Sequence, residues 1–259
     1  MFSIFNKNWR NFVFSFTKRE LKARYRGTFL GFLWMFLNPV FQMLIIGFIF
    51  QFFIPVHSEG NYFLYLFAGL LPWNFFSYTL SKVTPSFVFE RSLIQKSAFP
   101  REAIPLSIIL SNFFHFLIGL LIYMFVLLMN GEFSLHWFLV PIFLMWIFIL
   151  TLSFSIIFST LNVRFRDMNF FVQAVMPLWF YATPIIYPLS AIPKEFYFLF
   201  VLNPFYYPIE LLRRVLLFGY LFGPENRMYV ALSLLIALVL FLFSLSLFKK
   251  ESPNFDDWM

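Results

Sequence analysis

The sequence predicts an all-α membrane protein with six transmembrane helices, an N-terminal amphipathic interfacial helix and two short re-entrant helices between spans five and six. Three observations carry this prediction. Hydrophobic residues make up 61% of the 259 and charged residues 12%, against about 45–50% and about 25% in a soluble domain, and mean hydropathy is +0.80. Apolar stretches long enough to cross about 30 Å of hydrocarbon recur along the chain, separated by polar breaks. Lys and Arg gather in alternate breaks: fifteen of the nineteen fall in residues 1–28, 81–103, 162–167 and 249–259. Cytoplasmic loops carry this excess of cations, so those four segments are assigned inside and both termini are cytoplasmic.

Residues 1–28 form the interface element. Phe2, Phe5, Trp9, Phe12, Val13 and Phe16 recur at three- and four-residue spacing, which places them on one helical face, while Lys7, Arg10, Lys18 and Lys22 fall largely on another. Such a helix lies in the head-group region or packs on a partner. Lys18, Arg19, Lys22, Arg24 and Arg26 then abut the first span, residues 29–53, which has no ionisable side chain. Five cations against a first span hold that flank in the cytoplasm.

Residues 54–61 make a short outer turn, and residues 62–80 return as the second span, with Pro72 inside. The break at 81–103 carries Lys82, Arg91, Lys96 and Arg101. Within it, Ser86 to Lys96 reads as one short amphipathic helix, with Pro85 at its start and Pro100 beyond its end. Phe87, Phe89, Leu93 and Ile94 are available for contact and Glu90 and Arg91 are exposed. Docking of a soluble partner and a solvated loop are equal readings of this stretch.

The third span is 104–129, the fourth 137–161, and the loop after it holds Arg164, Arg166 and Asp167. The fifth span, 170–187, contains Pro177 and Pro184. Residues 190–227 belong outside but are strongly apolar, with Lys194, Arg213, Arg214 and Arg227. Their apolar runs, 196–202 and 209–218, are each too short to cross and are punctuated by Asn203, Pro204 and Pro208. Two short helices entering the outer leaflet and returning fit this pattern, because irregular backbone at membrane depth needs surrounding protein. The sixth span is 228–248 and the tail, 252–259, is cytoplasmic, leaving 29–251 as one transmembrane domain.

Several function classes are excluded by what the chain lacks. It has no cysteine, so disulfides and thiolate metal sites are out. The first long apolar run starts late and is too long for a signal-peptide core, so no cleavable leader is expected. His57, His115 and His136 are scattered and no metal site is expected. The six spans contain no Asp or Glu, unlike ion-coupled carriers, and no pair of acids suggests a catalytic site. There is no GxxxxGK[ST], so no ATP binds through a P-loop of this chain. The net charge of +7 reflects anionic head groups rather than nucleic acid. What remains is an energised permease whose motor is another chain.

Five motifs support that reading: RELKARYRGTFLGFLWMFLNP at the first span, GLLPWNFFS in the second, LNVRFRD after the fourth, TPIIYP closing the fifth and LNPFYYPIELLRRVLLFG before the sixth. In order and spacing they resemble the type-2 ABC exporter permeases, in the branch that exports O-antigen, capsular polysaccharide and teichoic acid. The resemblance implies a homodimer in the bacterial cytoplasmic membrane, two separate ABC ATPase subunits that hold ATP and Mg, and a lipid-linked polysaccharide as cargo. No cofactor is expected on this chain, and it is a transport subunit rather than an enzyme. Type-2 permeases for a lipid or a small molecule, and a non-ABC channel, are the alternatives.

The resemblance also implies site residues. Phe89, Glu90, Arg91, Leu93, Ile94 and Lys96 fall in a coupling helix, with Arg164, Arg166 and Asp167 in the second cytoplasmic loop. Phe196, Tyr197, Pro204, Phe205, Tyr206, Tyr207, Glu210, Arg213 and Arg214 fall in an outer gate. Glu210 lies three and four residues before the two arginines, so one helical turn can supply a pair; the other reading sends both arginines to head groups. Sugar rings pack on aromatic faces, which makes Trp34, Trp73, Phe75, Tyr78, Trp179 and Tyr181 candidates for a translocation path or for ordinary packing. Lys22, Arg24 and Arg26 are candidates for a lipid diphosphate or for anchoring to membrane lipids.

Overall fold

The computed structural model describes residues 7–25, 27, 29–53, 60–96, 100–223 and 226–258. Among them the chain is helical throughout: α1 (Lys7–Tyr25), α2 (Trp34–Phe52), α3 (Tyr62–Val83), α4 (Ser86–Phe89), α5 (Arg91–Lys96), α6 (Ala103–Met129), α7 (Val140–Arg164), α8 (Met168–Ala182), α9 (Tyr197–Val201), α10 (Tyr206–Leu217), α11 (Arg227–Glu251) and α12 (Phe255–Trp258). Three stretches are long and apolar enough to cross a membrane by length and composition: Ala103–Met129, Leu135–Arg164 and Arg227–Asn254. The 27 residues of α6 span roughly 40 Å at about 1.5 Å each. A shorter apolar helix runs Phe36–Phe52.

α3 is the hub. Asn61 caps it by accepting from the backbone N–H groups of Phe63 and Leu64. Every residue from Tyr65 to Phe76 is buried, because α2, α6, α7, α8 and α10 all pack around it. A helix apolar all round belongs inside a bundle, and Asn74, its one amide, donates to Gln42 Oε1 of α2 at 2.8 Å. By contrast α11 buries only Ser233, Ala237 and Ser244. Small residues at that spacing let α11 lie close on α7, the way helices associate where apolar burial gives no advantage over lipid.

The predicted boundaries shift where backbone chemistry decides. The first span begins as a helix only at Trp34, after Gly27 and Gly31 take positive φ and a 3-10 turn covers Gly31–Leu33. The fifth stops at Ala182, not Tyr187. Thr183 precedes a proline and is extended, with φ −105° and ψ 126°. The single helix expected over Ser86 to Lys96 is two, α4 and α5, because Glu90 between them leaves helical geometry at φ −96°, ψ 20°. α1 lies against α6, with Trp9 and Val13 buried beside Ala103 and Ser107 Oγ donating to the Val13 carbonyl at 3.3 Å. Phe2 and Phe5 lie outside the described residues.

The α11 contact is testable. Ala237 is 4% exposed and its neighbour Leu238 is 53% exposed. Overpacking costs about 1–3 kcal/mol, so Ala237→Leu should lower the melting temperature of the detergent-solubilised protein, while Leu238→Ala should leave it within about a degree. Equal melting temperatures would show that α11 does not depend on its small face.

Candidate functional site

The helices bring two clusters of polar and aromatic residues to opposite ends of the bundle. At one end the chain leaves α8 at Thr183, passes 184–196 and continues into α9 and α10. Asn203 organises this stretch. Its Nδ2 donates to Thr183 Oγ1 at 2.8 Å and to the Ala182 carbonyl at 3.2 Å. Its Oδ1 accepts from Trp179 Nε1 at 3.3 Å and from the Phe205 backbone at 3.1 Å. Both ends of the α8–α10 excursion are thereby held by one amide.

Arg213 fixes α10 from the other side. It is wholly buried, and both terminal nitrogens of its guanidinium are bonded: Nη1 to Glu210 Oε2 at 2.8 Å, Nη2 to the Ile185 carbonyl at 3.0 Å and Nη1 to the Pro184 carbonyl at 3.4 Å, while its Nε is buried without a hydrogen-bond partner. Its Cζ lies 3.8 Å from the centre of the Tyr65 ring on α3, a desolvated cation–π contact. Gly69, one turn along α3, makes room for it: a Cβ there would overlap the guanidinium. Glu210 also accepts from Arg214 Nε at 3.0 Å, and Arg214 lies over the Phe222 ring at 4.3 Å. Tyr62 donates to the Ile186 carbonyl at 2.7 Å. The TPIIYP motif is therefore a row of carbonyls facing α3 and α10. Beyond the end of α10 the Gly219 N–H reaches the Arg214 carbonyl at 2.9 Å, and its φ of +67° turns the chain out of the helix.

The sequence reading brought Glu210, Arg213 and Arg214 together, and they meet. It missed Tyr62, Tyr65, Gly69 and Asn203. A glycine amid large apolar residues of α3 was the one available signal, since close approach is its usual reason. Phe205, Tyr206 and Tyr207 are buried, whereas Phe196 is 53% exposed and Tyr197 and Pro204 are half-buried.

At the other end lie the basic breaks. Arg19 of α1 pairs with Glu90, and Lys82 of α3 pairs with Glu20 of α1 at 2.5 Å. Phe87 and Ile94 are buried, Leu93 is half-buried and Glu90 likewise. Phe89 stands 79% exposed, with Arg91 exposed beside it. Lys96 ends α5. Arg164, Arg166 and Asp167 are exposed on the adjoining loop. Lys22 is exposed; Arg24 closes α1 without a described side chain, and Arg26 lies outside the described residues.

The six aromatic candidates do not converge. Trp73 and Phe75 are core residues: Phe75 stacks on Phe116 at 5.3 Å, and Trp73 meets Trp179 at 6.4 Å and Phe180 at 5.7 Å. These two rings pack in the core, where the rings that surround them leave no open face. Trp34, Tyr78 and Tyr181 are exposed. Among the described residues no three His, Asp or Glu are grouped to hold a metal.

A helical bundle with, among the described residues, three stretches long and apolar enough to cross a membrane, holding a buried arginine ion-paired to Glu210, defines an integral membrane protein. Residues 11–217 match the family model described as ABC-2 type transporter, and the chain belongs to that family. It is 35% identical to an O-antigen export system permease protein of Klebsiella pneumoniae over 92% of this chain and 91% of that one. The corresponding Myxococcus xanthus protein is 36% identical over 72% of each chain. A polysialic acid transport protein of Escherichia coli is 24% identical over 85% and 86%.

The buried ion pair predicts an asymmetry. Removing one member of a buried pair costs about 3–5 kcal/mol because the other charge is left alone. Glu210→Met strands Arg213 and Arg214 together, whereas Arg213→Met leaves Glu210 with Arg214. Thermal unfolding in detergent should therefore be lowered more by Glu210→Met than by Arg213→Met. Equal losses would mean that the carbonyls of 184 and 185, rather than Glu210, hold the guanidinium.

Proposed function

We propose that this chain is the permease subunit of an ATP-driven exporter that moves a lipid-linked polysaccharide, of O-antigen, capsule or teichoic-acid type, across the cytoplasmic membrane. The observation that carries the reading is the 35% identity to an O-antigen export permease over nine-tenths of both chains. In this reading α2, α3, α6, α7, α8 and α11 are six spans, α9 and α10 are the re-entrant pair, and both termini are cytoplasmic. Residues 1–28, 29–251 and 252–259 are interface helix, transmembrane domain and tail. Two copies work with two ATPase subunits, which bind ATP and Mg.

The ion-paired end supplies a mechanism. The coupling segment, α4 with α5, follows directly on α3, whose far end carries Tyr65 and Gly69 against Arg213. Exposed Phe89 and Arg91 offer an apolar and a cationic contact to an ATPase groove. A push there turns α3 about its axis or slides it, and either motion takes Tyr65 and Gly69 out of register with the guanidinium. The gate formed by Phe196, Tyr197, Pro204 and the 205–214 stretch is then released while the ion pair stays intact within α10. Lys22, Arg24 and Arg26 meet the diphosphate of the lipid carrier at the cytoplasmic mouth. Trp34, Tyr78 and Tyr181, being exposed on each copy, face the polymer between copies.

Deletion of the gene should leave polymer on its lipid carrier inside the cell, and the cloned chain should return it to the surface. Normal surface polysaccharide in the deletion strain would overturn the proposed cargo. The gate has its own measurement. Ion leak through reconstituted dimers should rise with Glu210→Gln and fall back in part when Glu210→Arg is combined with Arg213→Glu. A Glu210→Gln permease as tight as the parent would remove Glu210 from the seal.

A further inference from the structure

The C-terminal segment carries contacts that the transport reading does not use. After α11 the chain tightens into a 3-10 turn at Ser252–Asn254, and α12 (Phe255–Trp258) follows at the basic end. Phe255 is fully buried. Its ring meets Phe87 of α4 at 4.9 Å and Phe248 of α11 at 6.0 Å. Phe87, itself fully buried, also stacks on Phe248 at 6.1 Å. Three rings from α4, α11 and α12 thus form one closed set. Arg101, at the exit of the first basic loop, donates to the Ser252 carbonyl and lies 5.8 Å over the Phe255 ring.

The same short segment reaches the second basic loop. Arg166 donates to the Trp258 carbonyl at 3.4 Å, and the Arg164 guanidinium lies 5.4 Å over the Trp258 ring. Arg101 and Arg164, more than sixty positions apart in sequence, thus both contact the same seven-residue stretch of tail. A tail serving only as a cytoplasmic overhang has no reason to place its first large apolar side chain at zero exposure. Aromatic contacts of this kind stabilise beyond the apolar area they bury, and cation–π contacts add to them. The summed interaction is large enough to order a short segment, and small enough to let it shift as a unit.

We propose that Phe255 is a positioning residue: it plugs the tail into α4 so that the coupling segment and the second loop move as one platform. This rests on the reading of α4 and α5 as the coupling element. The platform explains why a displacement delivered at exposed Phe89 or Arg91 is felt at Arg164, Arg166 and Asp167, which have no direct bond to α5 among the described contacts. Without the plug, the direct packing of α4 on α7 remains, but the two loops are held together less tightly and part of each ATPase stroke is lost.

The absence of cysteine makes the test direct. Spin labels on Ser92→Cys and Phe165→Cys, both exposed positions, report the distance between the two loops in the full-length permease bound to its ATPases. Mixing with unlabelled copies isolates the distance within one chain. The parent should give one narrow distribution, Phe255→Ala a broadened one, and Phe255→Leu, which keeps an apolar plug, a distribution close to the parent's. Phe255→Ala should still co-purify with the ATPases and hydrolyse ATP, while polymer exported per ATP falls at least threefold and Phe255→Leu restores most of it. An unchanged distribution in Phe255→Ala overturns the brace, as does a broadened one with export per ATP unchanged. A parent complex that exports no polymer would sink the transport reading, and the label distances would still decide the brace.

Discussion

A guanidinium with no exposure, inside a bundle built of apolar helices, is the constraint around which this chain is arranged. Burying a charge is expensive unless its hydrogen-bonding capacity is met, and Arg213 has to draw partners from three directions. Glu210 comes from its own helix, the carbonyls of Pro184 and Ile185 from the turn after α8, and the Tyr65 ring from α3. Each contribution dictates local structure. The α8 helix must stop early enough to free carbonyls, which Thr183 and Pro184 ensure. α3 must carry a glycine where the guanidinium passes. α10 must already be helical at Glu210, so that its carboxylate lies one turn before Arg213, and it begins at Tyr206, just after Asn203 and Pro204. A low-dielectric site makes each of these bonds stronger and each vacancy costlier, so the arrangement has few intermediate states.

The basic end is organised on a different principle. Its ion pairs, Arg19 with Glu90 and Lys82 with Glu20, involve partly exposed side chains and are individually weak. Order there comes from aromatic burial, with Phe87, Phe248 and Phe255 packed on one another. One end is thus held by a single stiff, directional network and the other by a softer apolar one. α3 joins them. A rod anchored by specific hydrogen bonds at one end and by sliding contacts at the other transmits displacement towards the specific end, where a small misalignment costs most.

Much of this was legible in the sequence because it depends on solvent class and on short-range spacing. Lys and Arg counts marked which breaks share a side, and the three- and four-residue spacing of Glu210 to Arg213 and Arg214 is a property of any helix. Prolines at 85, 184, 204 and 208 marked boundaries through the lost N–H. What escaped was long-range. Nothing local to Tyr65 or Gly69 says that an arginine more than a hundred residues on will lie against them. Asn203 looked like punctuation, yet its amide closes a gap of twenty residues to Thr183. Phe255 sits in a short, charged tail whose composition reads as solvent-exposed, and only the position of Phe87 shows otherwise. Glu90 was read as an exposed acid, because its cationic partner is on α1.

The fate of the aromatic residues follows from packing. In a chain with 44 phenylalanines, rings make the helix contacts themselves: Phe76 meets Phe205 at 4.0 Å and Trp179 at 5.2 Å, and Phe113 meets Phe148 at 4.9 Å. Interiors at crystal-like density have no room for a moving polymer, so Trp73 and Phe75 cannot both hold α3 in place and yield to a sugar chain. A path wide enough for a glycan has to run over surfaces instead, where Trp34, Tyr78 and Tyr181 stand exposed. A single copy offers only one wall of such a path. In the proposed exporter, the packing that makes each subunit solid favours a conduit between two copies, with the ring-filled core moving as a rigid body.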